Sequence, residues 1–378
     1  MIPFNKPYMT GKELAYIAES HANCKLAGDG PFTDKCHLWL EEYTGCKSAL
    51  LTHSCTAALE MSALLLGISS GDEVIMPSYT FVSTANAFVI RGAIPVFVDI
   101  RPDTLNLNEK LLESAITAKT KAIVPVHYAG VSCNMDVIND IAKKYGIAVV
   151  EDAAQGISST YKGQALGTIG TLGAYSFHET KNLISGEGGA LLINQDELLL
   201  MAEMIREKGT DRSRFFRGEV DKYTWREKGS SFLPGELTAA FLWAQLENSK
   251  FIQDSRMESW LKYHALLRAA EINKLIIRPT IPDYCQHNAH MYYVVLAEQF
   301  ERNYVLKALF ERGINAVFHY VPLHSSPAGK KFGRVATDMS VTNSRSKQLI
   351  RLPLWVGLED EQQNYIVKTL VNILEESK

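Results

Sequence analysis

Seven short, nearly continuous apolar runs recur through the first two thirds of this chain, and they constrain the fold more than any other feature. They are Ala49–Thr52, Glu73–Pro77, Pro95–Ile100, Ala122–His127, Ile147–Glu151, Ala174–His178 and Ala190–Asn194. A strand with one wet face alternates apolar and polar residues. A run without that alternation is expected where both faces are covered. Between the runs lie amphipathic segments such as Thr56–Leu66, Asn134–Tyr145 and Glu197–Lys208. This alternation predicts an α/β unit, a mostly parallel sheet with helices on both faces.

The pattern changes after about residue 235. Leu237–Ser249 and Asp254–Ile272 read as long helices, His290–Leu296 as a strand, and Asn303–Arg312 and Asp360–Leu374 as helices. We expect two domains, a large α/β domain over residues 1–250 and a smaller α+β domain over 251–378. A length of 378 residues suits that division.

Composition narrows the function classes. The formal charge is −3, so no strong basic field for nucleic acid is present. No apolar stretch approaches the roughly 18 residues that a membrane span needs. The N-terminal MIPFNKPYMTGKEL lacks a basic start followed by an apolar run, so no secretory signal is expected. The six cysteines form no CxxC pair and fit no zinc spacing. The expectation is a cytoplasmic protein with reduced thiols, no metal, no membrane insertion and no nucleic-acid partner.

In open α/β sheets, ligands bind beyond the carboxyl ends of the strands, and four features collect at such ends. His53-Ser54-Cys55-Thr56 lies between a strand and a helix, where hydroxyls and free N–H groups make an anion site or simply cap the helix. Asp152 directly follows an apolar run and requires a partner, either a protonated ring nitrogen or a helix N-terminus. Gln155, three residues on, either bonds a polar ring substituent or completes a cap. Ser176 to Asn182 contains Lys181 ahead of Ser185-Gly186-Glu187-Gly188-Gly189, whose glycines permit close approach of backbone to a ligand. Pro77 to Phe81 offers an aromatic to cover a flat ring, or one more core side chain.

Each feature alone has an ordinary structural explanation. Together they supply an anion cradle, an acid for a ring nitrogen, a stacking ring and a lysine. Pyridoxal 5′-phosphate (PLP) requires that set. His178, His319 and His324 are further polar candidates beside a substrate. Arg212, Arg214, Arg217 and Lys222 form either a diphosphate site or a solvated loop.

VVEDAAQG, SFHETKN and GEGGALL resemble the hallmark segments of the DegT-type nucleotide-sugar aminotransferases, within the fold-type I, aspartate-aminotransferase-like PLP enzymes. The resemblance runs from GDGPFT to HYVPLH and RLPLW. It implies that Lys181 carries the cofactor as a Schiff base and that Asp152 faces the pyridine nitrogen. Phe81, rather than Tyr79, would stack on the ring, and Gln155 would lie near its hydroxyl. Ser54, Cys55, Thr56 and Ser176 would surround the phosphate. It further implies a homodimer whose neighbouring subunit adds an asparagine to the phosphate site; Ser231 stands at that place here. FRGEVDKYTW and FHYVPLH carry a narrower resemblance to members that use glutamate to aminate C4 of a dTDP-4-keto-6-deoxy sugar. Relatives that remove a hydroxyl carry histidine at the lysine position, so Lys181 favours transamination. A cysteine desulfurase would need a nucleophilic cysteine in the later half, where Cys285 lacks the expected context. A PLP-binding regulator without turnover would need the same cofactor residues.

Overall fold

The computed structural model describes residues 1–377. Seven strands of the large sheet follow in chain order: β1 (Ser48–Thr52), β2 (Glu73–Pro77), β3 (Ile94–Val98), β4 (Thr120–Ile123), β5 (Ala148–Asp152), β6 (Leu172–Ser176) and β7 (Gly189–Ile193). Their spatial order is β1-β7-β6-β5-β4-β2-β3, and the two-residue strand Arg334–Val335 completes an eight-stranded sheet beside β3. All neighbours are parallel except at β7, which runs antiparallel to both β1 and β6.

The apolar runs have the double burial that their composition implies. Val149 of β5 joins a core on one face of the sheet and Val150 joins a second core on the other. In β7, Ala190 and Leu192 pack on the first face and Leu191 and Ile193 on the second. Each such valine or leucine contributes about 1.5–3 kcal/mol when fully buried, so neither face tolerates a polar residue until the strand ends. Two runs end earlier than their composition suggests. β4 stops at Ile123, before Pro125, whose ring nitrogen has no hydrogen to donate. β6 stops at Ser176, two residues before His178.

The later part of the chain builds a three-stranded antiparallel sheet from Ile276–Ile277, Tyr292–Leu296 and Leu349–Leu352. Helices Ser249–Leu266, Arg302–Glu311 and Asp360–Glu376 accompany it, and Tyr263, Leu309 and Leu370 of these helices share a core with Tyr292, Val294 and Ile350. The period of two sends Tyr293, Val295 and Leu349 to the opposite face, against Tyr79 and Tyr128. That face therefore looks toward the large sheet and forms the far wall of the cleft described next. The expected helix Asp254–Ile272 begins instead at Ser249 and breaks at Leu267. No helix among the described residues is long and apolar enough to cross a membrane.

Candidate active site

Beyond the carboxyl ends of β1, β2, β5 and β6 lies a cavity of about 760 Å³. It gathers Ser54, Cys55, Thr56, Phe81, Asp152, Gln155, Ser176, His178, Lys181 and His319, which are drawn from positions up to 265 residues apart.

The cradle at its base begins where β1 enters the helix Cys55–Leu65. Ser54 is the N-cap, and its Oγ accepts the Ala57 N–H at 3.1 Å. The Thr56 hydroxyl donates to Ser83 Oγ at 2.7 Å, bringing hydroxyls of two helix N-termini together. Capping and anion binding are thus compatible here, because one side chain caps while the remaining N–H groups stay open to a ligand. β7 passes directly over this helix start. A Cβ on Gly189 would stand 2.4 Å from the Cys55 nitrogen, so only glycine permits that approach. Burial pushes the Cys55 thiol well above its ordinary range, with the Asp152 charge adding to the effect and Lys181 opposing it. The thiol is a neutral wall, not a nucleophile.

Asp152 ends β5 and is buried. Its Oδ2 accepts the Thr84 hydroxyl at 2.6 Å and its Oδ1 accepts the Ala154 N–H at 3.2 Å. Burial raises its pKa, against the two hydrogen bonds and the charge of Lys181. A carboxyl held in this tension gains from a cation placed against it. Behind it, Glu151 accepts the N–H groups of Gly167, Ile169 and Gly170, and His127 Nε2 lies 2.8 Å from its Oε2. This network, built on the fully buried Glu151 and His127, fixes the strand end that presents Asp152.

Lys181 sits in the loop after β6, which is pinned by Glu179 N–H to Gly186 O at 2.8 Å and Lys181 N–H to His178 O at 2.9 Å. Burial lowers the pKa of its amine, as does Arg351, while Cys55 and Asp152 act the other way. An amine so placed holds its proton less tightly than a surface lysine.

Phe81 is 57% exposed and lines the cavity, whereas Tyr79 is 1% exposed and packs among Tyr128, His319 and Tyr320. Gln155 Oε1 accepts the Ala129 N–H at 2.6 Å, and its Nε2 donates to the Tyr320 hydroxyl at 2.8 Å. His319 stacks on Tyr320 with ring centroids 3.6 Å apart, its Nδ1 2.7 Å from the Tyr128 hydroxyl. His178 lies at the rim, its Nε2 3.6 Å from Glu187 Oε1.

Two expected residues do not come to this cavity. His324 Nδ1 lies 2.6 Å from Ser78 Oγ, so the ring pins the turn after β2 instead of lining the cleft. Ser231 is exposed and outside the lining residues of its own chain's cavity. The arginines of the 212–217 stretch are also engaged elsewhere. Arg217 holds Glu203 through both terminal nitrogens at 2.9 Å and Glu219 through Nε, and Arg214 pairs with Glu219.

Conversely, Thr84, His290, Arg256 and Arg351 line the cavity without having been singled out. Thr84 had a signal in the i, i+4 pair with Thr80 at the start of a helix. The other three had none: Arg256 lies within a helix, Arg351 within a strand and His290 just before one, with no motif to mark them.

The residues present fit PLP. A buried acid, a half-buried amine and a hydroxyl-rich helix start converge where the large sheet opens, and the acid and the amine form no ion pair with each other. This fold and site define a fold-type I PLP-dependent aminotransferase. The chain belongs to the DegT/DnrJ/EryC1/StrS aminotransferase family, whose model matches residues 7–371. It is 32% identical over 381 residues to the spore coat polysaccharide biosynthesis protein SpsC of Bacillus subtilis, covering 99% of this chain and 97% of that one. Among solved structures it resembles the putative sugar aminotransferase Spr1654 of Streptococcus pneumoniae in its PMP form, with TM-score 0.92, 27% identity and full coverage of both chains. It also resembles Helicobacter pylori PseC, an aminotransferase of pseudoaminic acid biosynthesis, with TM-score 0.90, 26% identity and 99% coverage of each.

Proposed function

We propose that this chain moves an amino group from glutamate to C4 of dTDP-4-keto-6-deoxyglucose, giving dTDP-4-amino-4,6-dideoxygalactose for surface polysaccharide synthesis in the cytoplasm. The observation that carries the reading is the convergence of Lys181 and Asp152 in one cavity with the hydroxyl cradle of Ser54, Thr56 and Ser176. The sugar class is supported by the polysaccharide and sugar roles named for the Bacillus, Streptococcus and Helicobacter relatives. The position and nucleotide rest on the FRGEVDKYTW and FHYVPLH segments.

When bound, PLP supplies an electron-accepting ring that carries the amino group between the two substrates. The residues of this chain do the rest. Asp152 holds a proton on the ring nitrogen through opposite charge, with Thr84 and Ala154 fixing the plane of the carboxylate. Lys181 would hold the cofactor, and its amine, when free, is the base that takes the proton from the donor's α-carbon at Nζ. Its lowered pKa places a share of the amine in the neutral form that this step needs. Phe81 would cover one face of the ring, Gln155 would bond its hydroxyl, and Cys55 would complete the cradle as an uncharged contact. His178 and His319 flank the substrate.

The reading includes a homodimer in which Ser231 reaches the neighbouring phosphate site. Support comes from the surrounding segment, where Phe216 is 69% and Trp225 80% exposed, apolar surface that a second copy would cover.

The test is spectroscopic. Adding glutamate to purified protein is expected to bleach the visible absorbance of the lysine-bound cofactor. Adding dTDP-4-keto-6-deoxyglucose is expected to restore it, and NMR of the product to show the galacto configuration at C4. Restoration only by another keto-sugar nucleotide would reassign the substrate. A band that no amino donor moves would make the chain a PLP-binding regulator.

A further inference from the structure

His290 lines the same cavity, is 8% exposed, and has a tautomer that its surroundings decide. Its Nδ1 lies 2.9 Å from Asn182 Oδ1. The Asn182 amide is oriented by its own nitrogen, which donates to Asn288 O at 2.7 Å. The oxygen therefore faces the ring, and Nδ1 must carry a hydrogen to meet it. In the neutral imidazole, Nε2 is then a lone-pair acceptor, and it makes no hydrogen bond among the described residues.

The backbone that carries the ring is held as well. The His290 N–H donates to Asn288 Oδ1 at 3.0 Å, and its carbonyl accepts Arg256 Nη2 at 2.6 Å. Asn288 is anchored in turn on the carbonyls of Gln155 and Ile157 at 2.7 Å each. Burial above all keeps the imidazole unprotonated, and the positive charges of Lys181, Arg256 and Arg351 act in the same direction. Asn182, which holds the ring, is peptide-bonded to Lys181.

The cationic donors that share the cavity with this acceptor differ in mobility. Arg256 is held through Nε and Nη2 on the carbonyls of Ala289 and His290, and Arg351 through Nε and Nη2 on Phe318 O at 3.2 and 3.0 Å, so both guanidinium groups are fixed in place. Lys181, once displaced from the cofactor, has a free amine.

We infer that His290 is a positioning residue for Lys181, its Nε2 accepting one N–H of the released amine so that the amine's lone pair points at the proton to be moved. The inference rests on the aminotransferase reading above. His290 itself stays neutral throughout. The proton leaves the donor carbon for Nζ, and the electrons of that C–H bond remain with the substrate and cofactor.

Because Lys181 serves both half-reactions, this role predicts an equal effect on both. In single-turnover measurements, His290→Phe is expected to slow the glutamate step and the keto-sugar step by the same factor, about 10- to 100-fold. The visible band of the bound cofactor and the KM for each substrate should not change. The isotope effect with α-deuterated glutamate should rise, since proton transfer becomes more rate-limiting. His290→Gln, whose amide oxygen can accept the same bond, should recover most of the rate. Slowing of one half-reaction alone would make His290 a substrate contact and overturn the inference. So would an unchanged rate, an unchanged isotope effect, or a His290→Gln variant no better than His290→Phe. If His290→Phe does not fold or loses the cofactor band, the decision passes to His290→Gln. Near-wild-type rates with an intact band then support the inference, and loss of the band overturns it. A wild-type protein that converts neither substrate refutes the enclosing reading, whereas an active wild type with these failures refutes this inference alone.

Discussion

The Thr84 hydroxyl donates to Asp152 Oδ2 at 2.6 Å and itself lies 2.7 Å from the hydroxyl of Thr80, so a two-threonine chain holds one oxygen of a buried carboxylate. The other oxygen takes the Ala154 N–H. These bonds favour the charged form, while burial opposes it and prevails when no further cation is present. A ring nitrogen that keeps its proton reverses the balance. Asp152→Asn should therefore fold, because an amide fills the same space, yet lose activity by a factor of order 100 or more, since it offers the ring no charge. Thr84→Val removes one bond and leaves the charge, and about a 10-fold loss is expected. Single-turnover rates with glutamate, alongside circular dichroism of each variant, check the order. Equal losses in the two variants would mean that positioning outweighs charge.

Lys181→Ala separates tether from cradle. The variant should lose the visible band of the lysine-bound cofactor and turnover together, by at least about 1,000-fold. It should still retain PLP through Ser54, Thr56 and Ser176, measured as cofactor remaining after gel filtration. Full turnover in this variant would remove Lys181 from the chemistry.

The passage of β7 over the helix start gives a third expectation. Gly189→Ala would force a Cβ to within 2.4 Å of the Cys55 nitrogen and 2.5 Å of the Ser54 carbonyl carbon, both backbone atoms that cannot swing aside. The cradle must spread, so PLP affinity should fall by 10-fold or more, with a loss of about 1–3 kcal/mol in stability. Fluorescence titration of the apoprotein with PLP, together with thermal melting, reports both. An unchanged affinity would show that β7 can shift without opening the cradle.

The strands of the large sheet were legible because adjacent residues such as Val149 and Val150 pack into different cores, which suppresses polar alternation. Asp152 and Lys181 were legible for a related reason, since each follows a buried run at the sheet end where ligands bind. His290 and Arg351 were not, because their meaning depends on how the face bearing Tyr293 and Leu349 is turned toward the large sheet. His324 misled because HYVPLH places two histidines close in sequence, while the chain turns between them and sends one to Ser78. The strand Arg334–Val335 escaped notice because two residues carry no periodicity.

That short strand supplies the last prediction. Arg334 binds Glu73 in a fork, Nε to Oε1 at 2.8 Å and Nη2 to Oε2 at 2.7 Å, and thereby ties the later chain to the start of β2. Glu73 is 6% exposed, and its bond to Arg334 holds its pKa below the ordinary 4.5 despite burial. A carboxylate with a depressed folded-state pKa stabilises the fold above its unfolded value. That contribution is complete above about pH 5 and is lost as pH falls through 4.5 toward the lower folded value. Glu73→Gln leaves Arg334 without its charge partner and should cost about 1 kcal/mol near neutral pH, because Arg334 is 35% exposed and solvent screens the pair. The gap between variant and wild type should close on acidification below 4.5, because protonation removes the same charge from the wild type. Urea melts at pH 7 and pH 4 measure both quantities. A gap that stays constant between them would show that the fork contributes shape and not charge.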